Sequence, residues 1–79
     1  MFRFARLDEA MTRDEWIARL AAELGVEPPT PAEIDALLEL AGTAAHASER
    51  QAAPLSCWLV GVAGVSPEDA LRAVTRLAV

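Results

Sequence analysis

Seventy-nine residues with seven basic and twelve acidic side chains, a formal charge of −5, leave room for one small domain and repel phosphate backbones and anionic membrane surfaces. One cysteine, Cys57, excludes an internal disulfide, and with one histidine it cannot build a Cys/His zinc cage. A core this small supplies about 3–5 kcal/mol at most, and with 53% apolar residues the chain is expected to find its remaining stability in a homo-oligomer or a protein partner.

Residues 1–11 carry Phe2 and Phe4 but no clear periodicity, and Met11 is a second candidate start, so a weakly ordered segment is expected there. The single helical domain then covers 12–79. Thr12-Arg13-Asp14-Glu15 is a capping box that predicts a helix over 12–24, with Trp16, Ile17, Leu20, Ala21 and Leu24 on one face and Gly25 at the C-terminal cap. Glu27-Pro28-Pro29 is a rigid connector. Thr30-Pro31-Ala32-Glu33 is a second capping box with proline at the first helical position, and it opens a helix over 31–47. Ile34, Leu37, Leu38, Ala41, Ala44, Ala45 and Ser48 form its apolar arc.

Pro54 opens a third segment, 54–64, which is apolar nearly all round and reads as the central helix of a small bundle. A buried strand is the rival reading, but no other segment offers it a partner. Gly64 ends it, and Ser66-Pro67-Glu68-Asp69 starts a fourth helix over 67–78 with Ala70, Leu71, Val74, Leu77 and Ala78 apolar. The chain thus reads as all-α, a bundle of about four helices. It has no stretch of roughly 20 apolar residues and no apolar segment of the signal-peptide kind, so it is expected to stay in the cytoplasm, away from membrane and nucleic acid.

Asp35, Glu39, Gly42 and His46 fall opposite the apolar arc of the second helix, and Arg50 joins them if that helix continues. One reading is an anion site held by His46 and Arg50, with the start of the third helix adding partial positive charge; the other is a solvated face on which Glu49 and Arg50 pair. Cys57 lies among leucine, tryptophan and valine and reads as a small hydrophobe rather than a nucleophile. Gly61 and Gly64 lack the lysine and strand of a phosphate loop, and glycine here suggests close helix contact. Trp16 and Trp58 read as core anchors, with an interface role as the alternative for one of them. No acid/base dyad is visible, which points away from an enzyme.

Two stretches, Met11 to Leu20 with Asp14-Glu15-Trp16, and Ala45 to Leu55 with Ala45-His46, Glu49-Arg50 and Ala52-Ala53-Pro54-Leu55, resemble an uncharacterised family of small bacterial helical domains. The resemblance spans about residues 11–64. Members of that family stand alone or are joined to proteins similar to the guanylyltransferase that completes the molybdenum cofactor. The resemblance implies an accessory or adaptor role in assembly or insertion of molybdopterin-guanine dinucleotide, no cofactor of its own, and a guanylyltransferase-like protein as partner. It also draws His46, Glu49, Arg50 and Pro54 together as candidates for ligand or partner binding. The alternative is a carrier that holds a pterin or nucleotide phosphate on His46 and Arg50. Gly42-Thr43 and Cys57-Trp58 depart from the family pattern.

Overall fold

A computed structural model describes residues 11–79, and in it the chain forms four α-helices: α1 Arg13–Leu24, α2 Pro31–Ala47, α3 Ala52–Ala63 and α4 Pro67–Ala78. The expectation of a weakly ordered start falls, except for Met11, outside those residues.

Local chemistry explains where three of the helices begin. Thr12 Oγ1 accepts the Glu15 N–H at 3.1 Å while Glu15 Oε1 accepts the Thr12 N–H at 3.0 Å. Thr30 and Glu33 repeat the exchange at 3.2 and 2.8 Å. Ser66 Oγ accepts the Asp69 N–H at 3.1 Å, with Pro67 at the first helical position of α4. Each pair satisfies amide groups that the first turn of a helix leaves without partners. Gly25 and Gly64 end α1 and α3 at φ 74° and 72°, a left-handed conformation that glycine adopts without steric cost.

α3 starts two residues before the predicted boundary at Pro54. Gln51 is its cap but contributes no side-chain hydrogen bond; the Ala52 and Ala53 N–H groups donate instead to the Glu49 and Arg50 carbonyls at 2.9 and 3.2 Å. Pro54 therefore occupies the third helical position. Its missing N–H costs nothing there, because a first-turn amide has no acceptor within the helix.

The core is built around α2 rather than α3. Ala36, Leu40 and Ala44, one turn apart, are buried along α2, joined by Ala21 of α1 and Ala70 of α4. Leu40, at 0% exposure, is the large side chain of this core. α2 packs against both α3 and α4, and its alanines let those helices approach closely. α3 contributes no fully buried residue, which corrects the reading of this segment as the central helix. A helix that is apolar all round can still lie at the edge of a bundle, because position is decided by which faces fit together and not by total hydrophobicity. The apolar face of α1 is likewise turned: Ala21 is buried and Ile17 half-buried, while Leu24 points to solvent. A groove of about 290 Å³ lies between α1 and α2, lined by Arg13, Ile17, Pro29, Ile34, Leu37 and Leu38.

Candidate functional site

α2 stops at Ala47 because Ser48 leaves the helical region at φ −130° and ψ −99°. Arg50 consequently belongs to the α2–α3 turn and not to the polar helix face. The turn nevertheless folds back, so that Ala45, His46 and Arg50 line one open depression of about 320 Å³. A neighbouring depression of about 470 Å³ is lined by Glu39, Gly42, Thr43 and His46 together with Leu38, Ala47 and Ala78. His46 stands between the two. Glu49 and Pro54 are exposed but line neither hollow, and no residue of α3 does, so the start of that helix is not part of their walls.

The tautomer of His46 follows from its hydrogen bond. Its Nδ1 lies 2.8 Å from the Gly42 carbonyl, which can only accept, so Nδ1 carries a hydrogen. The neutral ring then presents a lone pair at Nε2; only the imidazolium presents a donor to an anion. Arg50 offers a permanent positive charge, and Glu49 is not bonded to it: the ion pairs among the described residues are Arg13–Asp14 at 2.9 Å and Arg72–Asp69. The hollow can receive a hydrogen-bonding group, and it becomes attractive to an anion when His46 is protonated.

Both tryptophans depart from the core expectation. Trp16 is 56% exposed and Trp58 67%, so neither anchors the interior. Trp58 belongs instead to an outward stripe on α3: Leu55, Trp58, Leu59 and Val62, at offsets of three, four and seven, are all at least 60% exposed, and Val65 follows beyond the cap. No charged residue occurs from Gln51 to Pro67. The signal for this surface was present in the uniform apolarity of 55–63, since a helix with neighbours on one side and no polar residue on the other must show apolar surface to solvent. Gly61 does not mark a close helix contact: a methyl group placed there meets nothing within 4 Å.

Cys57 lies on the inner side of α3, half-buried, and burial pushes its thiol above the ordinary range. Thiolate is therefore scarce at neutral pH, which opposes a nucleophilic role. Because the folded pKa is raised above the unfolded one, this group's contribution to stability is complete below the ordinary thiol pKa of about 8.5 and is lost as pH rises through the folded value. We expect alkylation of Cys57 by iodoacetamide at neutral pH to be several-fold slower in the native chain than in denaturant. Equal rates would show that the thiol is not shielded.

Among the described residues no three His, Cys, Asp or Glu side chains come close enough to hold a metal, and no helix is long and apolar enough to cross a membrane. Residues 8–79 match the model of a domain of unknown function, DUF6457. No curated protein and no solved structure matches the chain.

Proposed function

The chain belongs to the DUF6457 family, and from that premise we propose that it is a non-catalytic accessory domain that binds a client protein through the outer face of α3. The observation that carries this reading is the uncharged stripe of Leu55, Trp58, Leu59 and Val62, each left at least 60% exposed by a chain that is elsewhere rich in carboxylates. A contiguous apolar patch with an aromatic anchor is the usual centre of a protein interface. Pro54, Glu49 and Arg50 flank its N-terminal end and supply a polar rim that can set the client's orientation. The family resemblance drawn from the sequence points to a molybdenum-cofactor guanylyltransferase or a related protein as that client.

A second reading rests on the hollow shared by His46 and Arg50, which suits a pterin or nucleotide phosphate when the imidazole is protonated. Isothermal titration separates the two. The client reading expects the purified chain to bind a molybdenum-cofactor guanylyltransferase with a Kd of about 1–10 µM, a range ordinary for accessory contacts, and GTP or free molybdopterin not at all. GTP or pterin binding that disappears in His46→Ala and Arg50→Ala would transfer the assignment to the hollow; absence of guanylyltransferase binding would remove the named client.

A further inference from the structure

α1 carries a second apolar stripe, separate from the proposed client face. Trp16, Leu20 and Leu24 recur every four residues and are 56%, 39% and 66% exposed, while Ala21 alone of this helix is buried. Arg19 and Glu23 lie one turn apart on the same border of the stripe, both exposed. Neither takes part in the ion pairs found among the described residues.

This pattern is self-complementary about Leu20. Reversing the helix end for end around that residue places Trp16 against Leu24 and Leu20 against itself. A two-fold axis between antiparallel helices maps each border of the stripe onto the same border of the partner. Arg19 of one copy then lies within about 3 Å along the axis of both Arg19 and Glu23 of the other. The two arginines meet at the axis and each is neutralised by the Glu23 of the opposite copy, a pairing that occurs twice. A parallel pair would set this border against the Ile17 and Ala21 side, which already faces the rest of the fold. Antiparallel helix dipoles also attract.

We infer that α1 is a homodimer face, occupied by a second copy of this chain lying antiparallel across Leu20. Two such stripes, with the aliphatic stems of Arg13, Arg19 and Glu23, cover on the order of 1,000 Å² in total, about where specific interfaces begin. The core gives a physical reason for it, since four of its five buried residues are alanine and the domain gains from burying more. The α3 stripe carries no charge of its own, and Glu49 and Arg50 flank only its N-terminal end, so it lacks the reversal-symmetric pairing found on α1.

Size-exclusion chromatography with light scattering over a dilution series from about 100 µM to about 1 µM tests the inference by reading a Kd for each chain, with a micromolar value for the wild type. The wild-type chain is expected at twice the monomer mass at the upper end of the series. Arg19→Glu and Glu23→Arg each place like charges across the axis twice and are expected to weaken the dimer about tenfold or more, with helical circular dichroism unchanged. The double variant R19E/E23R regains the dimer, and an equal mixture of the two single variants forms a heterodimer, which an unfolded chain could not do. A monomeric wild type, a dimer indifferent to both substitutions, or single variants that fail to recover on mixing would each overturn it. Client binding at α3 is measured separately and can stand or fall without this result.

Discussion

Leu40→Ala is expected to leave the domain largely unfolded at room temperature. Leu40 is completely buried, and the four other fully buried residues among those described are alanines. Larger side chains such as Leu37, Val60, Leu71 and Val74 are only half-buried around it, so Leu40 is the main packing volume between α2, α3 and α4. Truncating a buried leucine costs about 2–5 kcal/mol, which is comparable to the whole stability of about 3–5 kcal/mol available to a core of this size. Alanine is the best helix former, so the substitution does not weaken α2 as a helix; what disappears is the packing between helices. Urea titration followed by circular dichroism reads the effect. Leu40→Met, which conserves volume, should cost less than about 1.5 kcal/mol and retain a cooperative transition. A Leu40→Ala chain whose midpoint hardly moved would show that the helices are not organised around this residue.

Trp58→Ala is expected to do the reverse, sparing the fold and weakening the proposed client contact about thirtyfold or more. An anchoring core tryptophan would cost about 3–5 kcal/mol on truncation. A side chain that is 67% exposed should change stability by no more than about 0.5–1 kcal/mol, within reach of an ordinary surface substitution. At the centre of an interface, loss of an aromatic anchor typically costs at least about 2 kcal/mol, or a thirtyfold weaker Kd. The decisive comparison is the urea midpoint of the variant beside its titration with guanylyltransferase. A large loss of stability would return Trp58 to the interior, whereas unchanged stability together with unchanged affinity would move the client contact off α3.

The two outcomes depend on different kinds of information in the chain. The Thr12/Glu15, Thr30/Glu33 and Ser66/Asp69 caps were legible because each lies between residues three apart, reciprocal in the first two and a single Asp69 N–H to Ser66 Oγ bond in the third, and no distant group is needed to make it. The α3 start was displaced by two residues because its amides are satisfied by the Glu49 and Arg50 carbonyls, partners that side-chain type does not announce. Arg50 is the instructive case at the candidate site. An ideal helix continued past Ala47 would have aligned it with His46; the structure breaks the helix at Ser48 and brings the two together through a turn instead.

The same division explains the tryptophans. Periodicity placed Trp16 with Ile17, Leu20 and Ala21 on one side of α1, and Trp58 among the apolar residues of α3, without saying which part of each apolar surface would be covered. Amphipathic period and capping are properties of a single helix, so the amino-acid sequence by itself determined the four helices of the described residues, all but one of their starts, and the all-α class. Burial is a relation between helices. Only tertiary packing decided that the small residues of α2 and α4 would meet around Leu40, because close approach rewards alanine stripes, and that the larger apolar residues of α1 and α3 would be left facing outward.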